Sequence, residues 1–284
     1  MIPASFDYVA PATLDEALAA LQRHGDGAKI IAGGQSLLPI LRMRLNAPEI
    51  LVDLGKVSEL RGVFDDGPGL VIGAMTRYDE LLSDPLAGAH AKLLVDAVAT
   101  VADPQIRHRG TVGGALAHAD PAGDVGAPAL ALDAQFVVVG PRGQRVVDGA
   151  DFFVDHFTTA VGDDEILAAI RIPKHTGWGT RYEKFVRVVH QWSIVGVAAA
   201  VRVEGDTIAE AKIGLTNMGS TPVRARSAEQ ALAGVPIEEG AVAAAVASVA
   251  EGTNPPSDLQ GDADYRRHLA QVLTRRAVLA AAGA

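Results

Sequence analysis

Cysteine is absent from all 284 residues. That excludes a disulfide, a thiol nucleophile and any iron–sulfur cluster ligated by this chain. Apolar runs of membrane-spanning length are also missing. The longest, such as residues 194–201, fall far short of the roughly 20 residues a helical span needs. No basic segment followed by an apolar one opens the chain, so no secretory leader is expected. There is no basic tract, and the net charge is −9, which argues against nucleic acid as a partner. Neither an internal repeat nor a GxGxxG fingerprint occurs, so an ordinary dinucleotide fold is not indicated.

What the chain does have is two Gly-Gly pairs in telling surroundings. In the first, residues 29–32 read as a short buried strand, Gly33 and Gly34 follow at once, and Gln35 and Ser36 open a helical run over residues 37–44. Adjacent glycines let the backbone turn sharply and leave no Cβ in the way of an approaching group. A helix that starts just beyond them points unpaired N–H groups into the same space, and Ser36 adds a hydroxyl. Such a nest suits a phosphate or pyrophosphate. A tight strand-to-helix turn without a ligand is the competing reading. The second pair, Gly113 and Gly114, follows Thr111 in a stretch of small residues, with Leu116 the one large aliphatic between residues 115 and 124. Such a segment makes a poor core but a good liner for a flat or extended ligand; a bare Gly/Ala/Asp loop is the alternative.

Around these motifs the coarse elements can be placed. Phe6 and Tyr8 alternate with polar neighbours as in an opening strand. Thr13 reads as an N-cap, Leu14, Ala17, Leu18 and Leu21 share one helical face, and Gly25 ends that helix. Residues 50–53 form a strand that completes a small α/β layer arrangement, with Asp53 as a structural strand-end residue. A second unit begins near Val57: a strand at 70–73, helices at 78–82, 87–101 and 127–132, a hairpin of 134–139 and 144–147 around Pro141-Arg142-Gly143, and a strand at 164–173. The Gly/Pro-rich stretch 173–179 marks a domain boundary. Beyond it lie three β-rich runs, 180–189, 193–203 and 207–217, the last two joined by the hairpin signal Glu204-Gly205-Asp206. Ala-rich helices follow at 228–232, 238–250 and 265–282. The expected domains are 1–177, in subdomains of about 1–55 and 56–177, and 178–284.

AGGQSLLP at residues 32–39, IRHRGTVGG at 106–114 and the DPAGD ending at Asp124 resemble the FAD-binding subunit of the molybdenum hydroxylases, the family of xanthine dehydrogenase, aldehyde oxidase and aerobic carbon monoxide dehydrogenase. Weaker matches run in order from FDYVAPATLDEALAAL, through VIGAMTRYDEL, DEILAAIRIP and RYEKFVRV, to YRRHLAQVLTRRAV. Within the family the pattern is most similar to the medium subunit of aerobic carbon monoxide dehydrogenase. The resemblance implies an α+β fold: a two-subdomain, PCMH/vanillyl-alcohol-oxidase-like FAD-binding domain, then a three-stranded antiparallel sheet with a helical bundle. It also implies the split form of the enzyme. The molybdenum cofactor would lie on a large subunit, the iron–sulfur (2Fe-2S) clusters on a small subunit, and non-covalent FAD here, in a cytoplasmic dimer of heterotrimers that could sit at the inner face of the membrane. FAD would collect electrons from the clusters and give them to quinone, NAD or oxygen.

The same resemblance assigns roles. Ala32, Gly33, Gly34, Gln35 and Ser36 would hold the pyrophosphate, with Thr111, Gly113, Gly114 and Ala115 closing on it from the second subdomain. Asp124 would accept from a sugar or adenine donor, or else cap a loop. Leu167 would contact the ring region. Lys184 would place a cation near the flavin, or else be a solvated strand lysine. Trp192 would stack on or shield the ring, or else be a core residue of the sheet. His108 and His118 are loop histidines without partners at metal-ligand spacing. No acid–base pair on this chain is required, because the flavin carries the redox chemistry. Two other readings stay open: the flavin subunit of an aldehyde, purine or N-heterocycle dehydrogenase, and a flavin-free scaffold. A stand-alone flavin oxidase of the vanillyl-alcohol type would need a larger substrate domain.

Overall fold

A computed structural model describes residues 2–284. The first unit contains β1 (Asp7–Val9), α1 (Leu14–His24), β2 (Ala28–Ile31), α2 (Leu37–Arg42) and β3 (Ile50–Asp53). Its strands are parallel in the order β1-β3-β2. α1 forms as its sequence predicts: the Thr13 hydroxyl accepts from the Glu16 N–H at 3.2 Å, and Gly25 ends the helix with φ 50°. The helix buries Ala17, Leu18, Ala20 and Leu21 against Val52, Leu54, Val57 and Leu60. Each buried Leu contributes about 1.5–3 kcal/mol. This layer holds the β2–α2 turn, and with it Gly33 and Gly34, on a rigid base. Asp53 is structural: it accepts from the Gly55 N–H at 2.7 Å and from the Tyr8 hydroxyl.

The second unit runs through β4 (Val63–Asp65), β5 (Gly69–Gly73), α3 (Tyr78–Ser83), α4 (Pro85–His90), α5 (Lys92–Ala99), α6 (Pro104–Arg107), α7 (Val112–His118), α8 (Gly126–Ala131), β6 (Gln135–Gly140), β7 (Gly143–Asp148), α9 (Gly149–Phe152), β8 (Phe153–Asp155), β9 (Thr158–Thr159) and β10 (Ile166–Pro173). Its main sheet is antiparallel throughout, in the order β4-β5-β10-β6-β7. The single helix expected over 87–101 is two. Asp84 caps α4 by accepting from the Ala87 N–H, with Pro85 in the first turn, and the backbone breaks at Ala91 (φ −132°) before α5. Ala91 is fully buried, so the apolar pattern runs through the break and hides it.

The third unit has β11 (Gly179–Phe185), β12 (Val195–Glu204), β13 (Thr207–Thr216) and β14 (Val223–Arg224) in sequential antiparallel order, then α10 (Arg226–Leu232), α11 (Glu239–Ala245) and α12 (Ala263–Ala282). The expected three-stranded sheet thus gains a two-residue edge, too short to leave a periodic signal. α11 stops before the expected residue 250, and its continuation tightens into a turn with the Val249 N–H on Val246 O.

β12 explains its own apolar run. Ala198 and Ala200 face the main core of the second unit, while Val197, Ala199 and Val201 face the helices behind. A strand buried on both faces has no polar side to show. Small residues let the layers close up. A Cβ on Gly214 would lie 2.2 Å from Ala127 O, so α8 rests directly on β13. Tyr182, Ala198 and Ala200 belong to the same buried cluster as Leu94, Phe136 and Ile170. The Gly/Pro-rich stretch 173–179 therefore joins units that share one core.

Candidate functional site

Ile31 ends β2, and the chain turns at Gly34 with φ 75°, a conformation glycine adopts at no steric cost. The Gln35 side chain closes the turn by donating to Gly33 O at 3.1 Å. α2 then begins at Leu37, its Leu38 N–H returning to Gly34 O. Among the described residues, none of the N–H groups of Gly33, Gly34, Gln35, Ser36 and Leu37 donates to a protein acceptor, and the Ser36 hydroxyl makes no capping bond. Gly34, Ser36 and Leu37 are half-buried. This is a neutral donor cradle whose floor has no side chain, and it fits a diphosphate.

The second pair is built differently from the expected loop. Thr111 is the N-cap of a true helix, α7, which carries both Gly113 and Gly114, and Leu116 sits in the core. The four leading N–H groups of α7 are all engaged: Val112 on Thr76 O, Gly113 on Ala74 O, Gly114 on the Thr111 hydroxyl and Ala115 on Thr111 O. The bare α-carbon of Gly113 faces Ala74, where an added Cβ would come within 2.3 Å of that residue's Cβ. On Gly114 a Cβ would come within 2.6 Å of the Thr111 hydroxyl and 3.2 Å of the Ala32 side chain. Thus the second pair does not offer a second set of backbone donors. The segment just before it makes the surface against which the first pair is seated, because a Cβ on Gly33 would meet Arg109 O at 2.2 Å and Gly110 Cα at 2.8 Å. The two motifs come together, with Ala32 and Gly33 on one side and Arg109, Gly110 and Gly114 on the other.

Asp124 and Lys184 also meet. Lys184 Nζ lies 2.7 Å from Asp124 Oδ2, with both side chains buried. The solvated strand lysine is thereby replaced by a buried ion pair. Asp124 Oδ1 accepts from the Ser193 hydroxyl at 2.8 Å and the Tyr182 hydroxyl at 2.9 Å. Three protein donors thus occupy the carboxylate that was expected to hold a sugar or adenine group. Burial, and then the charge of Asp124, hold the phenols of Tyr182 and Tyr78 above their ordinary range. Both phenols stay neutral, and Tyr182 donates.

Trp192 is 54% exposed on the connection between β11 and β12, beside exposed Val188 and Val189, so it is not a core residue of the sheet. Leu167, on β10, is in the main core and packs inward. His118 is the last residue of α7; burial lowers its pKa, and its ring lies 5.1 Å from that of Phe157. His108 is exposed and pairs with Asp79 at 3.2 Å. A cavity of about 480 Å³ between Leu130, Gln135, Phe153 and Pro222 is lined by neither glycine pair, and its Arg224 is already bonded to Asp133 and Glu229. The network around Asp124 links residues 58 to 69 positions apart, and no local pattern announces it.

Residues 4–175 match the family described as the FAD binding domain in molybdopterin dehydrogenase, and residues 180–281 match the CO dehydrogenase flavoprotein C-terminal domain. The chain is 40% identical to the carbon monoxide dehydrogenase medium chain of Hydrogenophaga pseudoflava, covering 99% of this chain and 98% of that one. It is 35% identical to the glyceraldehyde dehydrogenase medium chain of Sulfolobus acidocaldarius, covering 98% of each. Among solved structures, that of carbon monoxide dehydrogenase from Hydrogenophaga pseudoflava superposes with a TM-score of 0.96 at 41% identity, over 100% of this chain and 99% of its counterpart.

Proposed function

The chain belongs to the family of FAD-binding medium subunits of the molybdenum hydroxylases, and on that premise we propose that it is the flavin subunit of an aerobic carbon monoxide dehydrogenase. It is an oxidoreductase subunit, and its relatives are medium chains of multi-subunit enzymes, which implies small and large partners. The observation that carries the flavin assignment is the set of five unpartnered N–H groups from Gly33 to Leu37 above a bare Gly34. Carbon monoxide is favoured as the substrate by the 40% identity to a carbon monoxide dehydrogenase chain, against 35% to a glyceraldehyde dehydrogenase chain.

Gly33, Gly34, Gln35 and Ser36 would orient the diphosphate through neutral backbone donors. An acidic protein can hold the two phosphates in this way without a cationic pocket. Ala32 and the α7 surface at Gly114 would wall the cradle and exclude water from it. When bound, FAD would supply the redox chemistry that links the iron–sulfur clusters of the small subunit to an external acceptor, a quinone, NAD or oxygen. Lys184 is tied to Asp124, so it would contribute the dipole of an ion pair in place of a bare positive charge. The assembly would be a cytoplasmic dimer of heterotrimers; among the described residues no helix is long and apolar enough to cross a membrane.

The test is an absorbance spectrum of the complex, acid release of its chromophore, and reduction by carbon monoxide compared with glyceraldehyde and an N-heterocycle. One FAD per chain, iron–sulfur absorbance from partner subunits and bleaching by carbon monoxide are the expected results. A flavin bleached only by an aldehyde or heterocycle would move the substrate assignment. A colourless chain that takes up no FAD would put the scaffold reading first.

A further inference from the structure

Three donors from the third unit converge on Asp124, and phosphate binding requires none of them. Lys184 lies near the end of β11, just before the connection 186–192, and Ser193 lies just after it. Both are bonded to the same carboxylate, at 2.7 and 2.8 Å, and Tyr182 adds a third bond at 2.9 Å. Asp124 itself follows α7 on the segment that continues the second Gly-Gly motif. Asn217 strengthens the junction: its N–H donates to Pro121 O, and its side-chain amide donates to Ser193 O, both at 2.8 Å. The connection between Lys184 and Ser193 carries exposed Val188, Val189 and Trp192.

We infer that Asp124 is a positioning residue. It latches the Trp192 connection at both its ends to the α7 segment, so that this apolar tip is held in register with the glycine motifs. The backbone ladder holds the base of the hairpin at Phe185 and Val195, but a ladder leaves the tilt of the tip free. Cross-links from the side chains at entry and exit to one buried carboxylate remove that freedom. The latch stands on the geometry of the chain; only its use, to present Trp192 beside a flavin, rests on the flavin reading.

Arg187 is the sole Lys or Arg between residues 185 and 192, and it is exposed. Limited trypsin digestion of the full chain, mapped by mass spectrometry, therefore reads the connection directly. Cleavage elsewhere in the chain is the internal reference. In Asp124→Asn one of the two acceptor oxygens becomes an NH2 group and the charge is lost, so Lys184 and the Ser193 and Tyr182 hydroxyls can no longer all be accepted, and cleavage after Arg187 should rise about tenfold relative to the other sites. Ser193→Ala should give a smaller selective rise, about threefold. Asp124→Leu/Lys184→Met removes the latch without leaving a buried unpaired charge, and should show the same selectivity even if Asp124→Asn folds poorly. Lys184→Arg keeps a cation and should stay closer to the parent than Lys184→Met does. An unchanged rate after Arg187 overturns the inference. So does equal acceleration at every site, which would make Asp124 a residue of general stability. No flavin enters the measurement, so a chain that fails to bind FAD would sink the flavin reading and leave this test standing.

Discussion

Gly33 carries the backbone of Arg109 on its bare α-carbon: a Cβ there would lie 2.2 Å from the Arg109 carbonyl oxygen. The two glycine motifs, some 75 residues apart, are therefore halves of one joint. The first supplies open donors, and the second supplies the seat.

That joint orders the effects of alanine at the first pair. Gly33→Ala has to displace backbone, and should lower stability by about 1–3 kcal/mol and empty the flavin site. Gly34→Ala meets side chains and no backbone, Leu38 at 3.1 Å and Ile31 at 3.4 Å, but must hold φ 75°, a strain of about 1–2 kcal/mol. Thermal unfolding without flavin, together with the flavin-to-protein ratio after reconstitution, checks both. The reverse order, with Gly34→Ala the more damaging to the flavin-free protein, would contradict the joint.

At the second pair the harm should precede any ligand. Gly113→Ala drives a methyl into Ala74, whose Cα would be 2.6 Å away, and Gly114→Ala crowds the Thr111 hydroxyl that caps α7. Each should destabilise the flavin-free chain by about 1–3 kcal/mol in urea. If the flavin-free chain unfolded at the parent's urea midpoint and only FAD affinity fell, the glycines would be facing ligand instead of protein.

Acid should reveal the pairing of Glu165 with Arg145. The hydrogen bond from the Arg145 guanidinium, with Nε at 2.9 Å, pulls the buried Glu165 carboxyl down from an ordinary 4.5 to about 2. A carboxyl depressed in the folded state stabilises the protein fully above its unfolded pKa, and the benefit is lost as pH falls through the folded value. The parent should therefore exceed Glu165→Gln by about 1–2 kcal/mol near pH 7, after allowing for solvent around the half-exposed Arg145. The gap should close between about pH 5 and pH 2. Urea midpoints of both proteins across that range measure it, and a gap independent of pH would rule this pair out as the cause.

Local signals made much of this fold readable. Thr13 and Gly25 delimit α1, and Gly33 and Gly34 break β2 from α2, because capping and turning are written within a few residues. The hairpin of β6 and β7 was legible for the same reason. What escaped depends on partners distant in the chain. The glycines of α7 look like an open loop until Ala74 O and the Thr111 hydroxyl are seen to take their N–H groups. Lys184 reads as one polar residue on an exposed strand face until Asp124, 60 positions earlier, is found beneath it. Trp192 reads equally as a ring-facing residue or a core residue of the sheet, since a lone aromatic beside a hairpin has no periodicity to place it. Alanine hides boundaries as well: buried Ala91 lets two helices pass for one.

The shared core across residues 173–179 has a consequence for descent. Tyr182, Ala198 and Ala200 complete a cluster whose other buried members precede the joint, and α8 lies bare against β13 at Gly214. Neither half can be replaced without refitting those contacts. The two lengths of chain are therefore expected to be inherited together, with subunits differing by gradual change in both halves at once and not by exchange of one for another.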